Sequence, residues 1–244
     1  MVAGTLGCIV MLWGTAPAAV EAKPPAGKGG KPGYPDRITF SGRSWQVKSS
    51  KSAVGPGPNV FSTQNVSVDS NGHLHLEIVQ RDDGTWTAAE VIADDRLGYG
   101  TYQFSVASPV NDLDPQVVLG MFTWSDKARF AHREIDVEIA RWGKPASEEP
   151  TNAQFVVQPH DSVGHLSRFT VGSENATTYS FTWAPGRVDF TSSTGSKFTY
   201  TGGDVPQAGD ETPRINLWLF EGRGPTDGQN IEVVLSNFEF EPLP

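Results

Sequence analysis

An all-β, antiparallel sandwich or barrel is the fold class this sequence predicts, and three observations carry the prediction. From Arg37 onward no amphipathic stretch of ten or more residues keeps a helical period. Short runs of period two recur instead, each bounded by Gly, Pro, Asn or Asp. The chain holds 26 Gly and 18 Pro among 244 residues, about 18% against roughly 12% in average usage. Such a density of turn formers cuts a chain into strands more readily than into helices.

Read in order, the first element is a targeting segment. Residues 2–20 are apolar and uncharged, and small residues follow at Ala16-Pro-Ala18 and Val20-Glu-Ala22. This is the pattern of a secretory signal peptide, expected over 1–22. The run is too short and too rich in Gly and Pro for a comfortable membrane span. Residues 23–36, KPPAGKGGKPGYPD, form a Pro/Gly/Lys linker that has no apolar surface to bury. The single cysteine, Cys8, lies in the targeting segment, which excludes an intrachain disulfide and a cysteine-clustered zinc site. A secreted domain, 37–244, must then be held by its core, and about 200 residues suffice for one. The net charge of −9 argues against nucleic acid as a partner, because phosphate binding needs a basic surface.

Within the domain, Asn65–Val68, the turn Asp69-Ser-Asn-Gly72 and His73–Val79 read as strand, turn, strand. Leu74, Leu76 and Ile78 would face the core, with His73, His75 and Glu77 in solvent. Further strands are expected at 100–106, 117–124, 134–139, 153–158, 178–183, 188–191, 214–220 and 231–240. No internal repeat is present, which argues against a propeller or solenoid. The longer connections, 107–116, 143–151 and 221–230, would rim a binding face.

The segment His132-Arg-Glu134-Ile-Asp136-Val-Glu138-Ile139 carries the most chemistry. Alternation puts Glu134, Asp136 and Glu138 on one face and Ile135, Val137 and Ile139 on the other. The β-branched face suits the space between two sheets. Three aligned carboxylates repel one another, so a sequence under selection for stability alone would mix signs there. Three readings of the acidic face stand side by side. It is a solvated face, or a calcium site, although calcium ligands usually come from loops. Or it is a carboxylate pair for glycoside hydrolysis, one group ionised as nucleophile and one protonated as general acid.

At these residues the chain resembles glycoside hydrolase family 16, whose signature is Glu-x-Asp-x-(x)-Glu. The form Glu134-Ile-Asp136-Val-Glu138 is the shorter one, typical of bacterial lichenases and of the xyloglucan-modifying branch. The surrounding pieces follow in the family's order over roughly residues 38–242: Ala89-Glu90, Gly98-Tyr-Gly-Thr-Tyr-Gln-Phe, Gly120-Met-Phe-Thr-Trp124, Thr151-Asn-Ala-Gln-Phe155, Thr178-Tyr-Ser-Phe-Thr-Trp-Ala-Pro-Gly-Arg-Val and Ile215-Asn-Leu-Trp218. The resemblance implies a jelly roll of two curved antiparallel sheets with a concave substrate cleft. It implies Glu134 as nucleophile, Glu138 as general acid and then base, Asp136 as their assistant, and retention of configuration.

Sugar sites combine aromatic platforms with amides and charged groups. On that basis and on the resemblance, Asn59, Glu90, Phe122, Trp124, His132, Trp142, Asn216 and Trp218 are the expected substrate-binding residues. His132 enters because it lies two residues before Glu134, and His160 is a second choice at the end of the next strand. Trp45 and Trp183 read as core. His132, Val156 and Ile92 depart from the lichenases, which have Trp, Asn and Arg there. The sugar therefore stays open among β-1,3-glucan, mixed-linkage glucan, xyloglucan and an algal galactan, as does transglycosylation against hydrolysis. The chemistry needs no cofactor and no catalytic metal, and a structural calcium ion is left open. The expected partner is a polysaccharide or oligosaccharide, bound by a secreted monomer. Two other readings are a non-catalytic carbohydrate-binding protein and a tethered cell-surface domain; neither gives three clustered carboxylates a purpose.

Overall fold

A computed structural model describes residues 35–174 and 176–244. The expected signal peptide and the linker up to residue 34 lie outside the described residues.

Sixteen strands are described: β1 (Arg37–Phe40), β2 (Arg43–Val47), β3 (Val60–Phe61), β4 (Val66–Val68), β5 (Leu74–Gln80), β6 (Trp86–Ala93), β7 (Gly100–Val106), β8 (Val117–Trp124), β9 (Ile135–Ile139), β10 (Ala153–Val157), β11 (Leu166–Phe169), β12 (Thr177–Ala184), β13 (Arg187–Ser192), β14 (Lys197–Thr201), β15 (Thr212–Leu219) and β16 (Ile231–Pro242). Three single-turn 3₁₀ segments are the only helices among the described residues. One sheet runs β2-β6-β15-β8-β9-β10-β11, and the other runs β4-β5-β16-β7-β12-β13-β14. The β5–β6 hairpin joins them through the pairs Val79–Thr87 and Gln80–Trp86. All neighbouring pairs are antiparallel except the short β3 beside β6. The result is the jelly-roll sandwich that the alternation and the resemblance predict.

The expected strands fall within two residues of the observed ones, and β7 and β8 match at both ends. The early turn is held by Asp69, whose carboxylate accepts from the backbone N–H of Asn71 and His73. Leu74, Leu76 and Ile78 are fully buried, and His73, His75 and Glu77 are not. Strands β1, β2, β3, β6, β11 and β14 are not among the expected ones. For β6, Trp-Thr-Ala-Ala-Glu-Val-Ile-Ala, the reason is plain. Its alanines have weak strand propensity, and its register is imposed by β15 and β2 on either side.

Between the sheets, Ile135, Val137 and Ile139 of β9 meet a core built largely of aromatics from the other sheet. Tyr102 stacks on Phe181 at 4.8 Å, and Phe155 stacks on Phe190 at 5.1 Å. Trp45 and Trp183 are fully buried, and their indole N–H groups donate to the carbonyls of Phe40 and Pro206. Both are core residues, as expected, with their one polar atom satisfied. No helix among the described residues is long and apolar enough to cross a membrane.

Candidate active site

Sheet register places the site. Because side chains alternate and neighbouring strands are about 4.8 Å apart, paired residues form rows across the outer face of the sheet. One row reads Glu90 (β6), Asn216 (β15), Gly120 (β8), Glu138 (β9), Gln154 (β10) and Arg168 (β11). The next reads Ile92, Arg214, Phe122, Asp136 and Val156. Gly120 keeps the first row open, because a Cβ there would collide with the Asn216 carboxamide oxygen.

These rows floor a cavity of about 430 Å³. Glu134, Asp136 and Glu138 all line it, with Glu90, Phe122, Trp124, Asn216 and Trp218. A second cavity of about 470 Å³ adjoins it and shares Glu138 and Trp218. Trp142, Gln154, Gln158, His160 and Phe220 line that one. Trp142 packs against Trp218 at 6.2 Å and edge-on against Phe220 at 5.6 Å.

The acidic trio is held by amides and guanidiniums that the sequence pattern does not single out. Gln154 Nε2 donates to Glu138 Oε2 at 2.6 Å, and Arg168 Nη1 donates to Gln154 Oε1 at 2.9 Å. Gln158 Nε2 donates to Asp136 Oδ2 at 3.0 Å. Glu90, 1% exposed, is clamped by Lys48 Nζ at 2.7 Å and faces Arg214 Nη1 at 3.5 Å.

Burial is the largest cause raising all three carboxyls of the trio above their ordinary values. For Glu134 the charge of Glu138 adds to burial, while a hydrogen bond from Asp136 and the charge of Arg214 oppose it. Asp136 is pushed up further by the charges of both glutamates and by its hydrogen bond to Glu134. The hydrogen bond between them favours a proton on Asp136 over one on Glu134, although Glu134 is itself pushed up to about 8. Glu138 is raised against the pull of Gln154 and Arg168. Carboxyls raised in this way hold a proton near neutral pH, which a general acid requires. Among the described residues no group of three or more His, Cys, Asp or Glu side chains is arranged to hold a metal ion.

Two expected sugar contacts fall elsewhere. His132 does not share the face of Glu134, because Phe130, Ala131, His132 and Arg133 all have positive φ and the strand begins only at Ile135. Alternation cannot be extrapolated through such a turn. His132 instead stacks on Trp124 at 4.1 Å, nearly parallel, with Nδ1 2.9 Å from the Ser125 carbonyl oxygen. It props an aromatic wall rather than lining the cavity. Asn59 is buried, and its carboxamide is used up: Nδ2 donates to the carbonyls of Pro56 and Leu219, and Oδ1 accepts from Leu219 N–H. It ties the loop bearing Gly55 and Pro56, which do line the cavity, to the end of β15. Trp142 lines the second cavity rather than the first.

No family model matches the chain. The β-glucanase of Paenibacillus macerans is 25% identical over 193 residues, 77% of this chain and 76% of that protein. The Bacillus licheniformis β-glucanase structure superposes with a TM-score of 0.64 at 20% identity, over 80% of this chain and 91% of that one. A family 16 endo-glucanase from Bacteroides ovatus, in complex with G4G3G-2F-DNP, gives 0.64 at 15% identity, over 81% and 94%. The chain is similar in sequence and in fold to glycoside hydrolases built on a jelly roll. The resemblance to family 16 that the sequence carries is borne out, with β-glucanases as the similar proteins in sequence and in fold.

Proposed function

We propose that the protein is a secreted, monomeric, endo-acting and retaining β-glycosidase that hydrolyses a β-glucan with 1,3 and/or 1,4 linkages. The observation that carries this reading is the trio Glu134, Asp136 and Glu138 on one strand face at the junction of two cavities. Cavities on both sides of Glu138 suit a polymer that runs through the site, which favours internal cleavage. The β-glucanases similar to this chain support the choice of a glucan.

In the first step a Glu134 carboxylate oxygen attacks the anomeric carbon. The Glu138 O–H protonates the glycosidic oxygen as that bond breaks, and a glycosyl ester on Glu134 results. The Glu138 carboxylate then takes a proton from water, the hydroxide attacks the same carbon, and the ester bond breaks. Asp136 donates its hydrogen bond to Glu134 when that group is a carboxylate and when it leaves as one. The amide of Gln154 orients Glu138.

Product release from β-1,3-glucan, mixed-linkage glucan, xyloglucan and agar-type galactan tests the reading, with Glu134→Gln as control. The expected result is oligosaccharides from a β-glucan, absent with the variant. Binding to a polymer without release by the parent would instead make this a carbohydrate-binding protein on a hydrolase fold.

A further inference from the structure

Arg214 has no role in the steps above, yet it sits on the cavity floor. It lies in the row of Asp136, two strands away, which is about 10 Å at the usual strand spacing. Its side chain is 14% exposed. Nη1 faces Glu90 at 3.5 Å, Nη2 faces Asp126 at 3.4 Å, and the guanidinium lies 5.9 Å from the Trp124 ring. These contacts are long for an arginine, and its buried Nε has no partner at all. The Asn216 carboxamide oxygen, two residues on and lining the same cavity, is also buried without a partner. The part of the guanidinium that does reach the cavity, with its long contacts to Glu90 and Asp126, leaves N–H donors that a ligand hydroxyl can take up.

We infer that Arg214, with Glu90 and Asn216, is a specificity-determining residue that reads the hydroxyls of a neutral sugar ring on the glycone side of the cleft. The side follows from chemistry and rests on the roles proposed above. Glu138 protonates the leaving oxygen, so the second cavity, which contains Glu138 but not Glu134, takes the leaving sugars. The first cavity, with Glu134 and Arg214, takes the glycone. Neutrality follows from the charges. Lys48 and Arg214 are met by Glu90 and Asp126, and the trio adds further negative charge. No cation is left over for a sulfate or a uronate, whereas an ion-paired carboxylate and a fork of N–H donors suit adjacent hydroxyls. Arg214 is supplied by β15 opposite Ile92, so the reader of this ring comes from a different strand from Glu90.

The test measures binding in the Glu134→Gln protein, which cannot turn over. Mixed-linkage β-glucan oligosaccharides of two to five rings are titrated by tryptophan fluorescence, with and without Arg214→Met. The expected loss is ten- to hundredfold for oligosaccharides long enough to reach Arg214, and little for the shortest, as befits a hydrogen bond to a charged group. Arg214→Lys keeps the charge but not the fork, and is expected to recover only part of the affinity. Equal loss at every length, or full recovery with Lys, would overturn the assignment by making Arg214 an electrostatic support. Tighter, Arg214-dependent binding of sulfated galactan oligosaccharides would overturn neutrality. If the parent binds none of the glucan oligosaccharides, the glucan reading itself falls and the inference with it.

Discussion

The two faces of β9 divide the labour of the molecule. Ile135, Val137 and Ile139 are essentially unexposed and belong to the apolar core between the sheets. One residue out of step, Glu134, Asp136 and Glu138 crowd three carboxyls into a cleft where burial raises all three and repulsion adds to it for Glu134 and Asp136. The apolar face favours folding and the acidic face opposes it. This short segment therefore sets the position of the chemistry by packing one side and tolerates the electrostatic cost on the other.

The comparison breaks most visibly at Glu134. Glu134→Gln removes the proposed nucleophile, and turnover should fall by about 10⁴-fold or more, while the thermal midpoint holds or rises. Steady-state product release and a melting curve on one preparation check both halves. Wild-type-like turnover would remove Glu134 from the mechanism. The neighbouring residue should behave in the opposite way. Ile135→Ala leaves a cavity between the sheets, with an expected loss of about 2–5 kcal/mol in urea unfolding. Turnover of the folded fraction should stay close to that of the parent.

How far this division can be read from the sequence differs between the faces. The core face is legible, because alternation is a local property and β9 is a regular strand. The acid face is legible for the same reason, and the aromatic and amide positions Phe122, Trp124, Asn216 and Trp218 follow from regular strands too. His132 is misplaced by alternation because four consecutive left-handed residues lie at the entry to the strand. Asn59 sits in a loop, where the residue type does not reveal whether the carboxamide is spent on backbone. Arg214, Gln154 and Gln158 stay hidden for another reason. Their neighbours are set by register between strands, and Arg214 meets Glu90 across 124 residues of chain. Residue spacing carries no information at that range.

A smaller effect sharpens the electrostatic half of the comparison. Burial pushes the Glu138 carboxyl up to about 7 from an ordinary 4.5. In the folded protein Glu138 thus keeps a proton that the unfolded chain has already lost between those values. Stability falls as pH rises through that window, and the deficit is complete above about 7. Glu138→Gln should therefore be more stable than the parent by about 1–3 kcal/mol at pH 8 and equal to it near pH 4. The carboxamide introduced there can still accept from Gln154, so the geometry is kept. Denaturant melts at the two pH values test the sign. A variant less stable than the parent at pH 8 would mean that the carboxylate is well solvated in the cleft. In catalysis the pair must hold one proton, and with Glu138 pushed up to about 7 and Glu134 to about 8, kcat/KM should form a bell with its maximum between those values.

The smallest expected effect lies at the far side of Glu138, where Trp142 separates the two cavities' duties. Trp142 does not touch the glycone cavity; it meets Trp218 and Phe220 in the cavity assigned to the leaving sugars. A ring that stacks on a leaving sugar helps only when such a sugar is present. Trp142→Ala should weaken use of the polymer by about three- to tenfold, the magnitude of one aromatic contact. Activated aryl glycosides, whose leaving group does not fill that cavity, should be cleaved almost as fast as by the parent. Arg214→Met should show the mirror image, with a loss that follows the length of the glycone and ignores the leaving group. Measuring both variants against the same two substrate series locates each residue on its side of the scissile bond. If Trp142→Ala slowed the aryl glycosides as much as the polymer, the aromatic cluster would be supporting Trp218 and the carboxyl trio rather than holding a departing sugar.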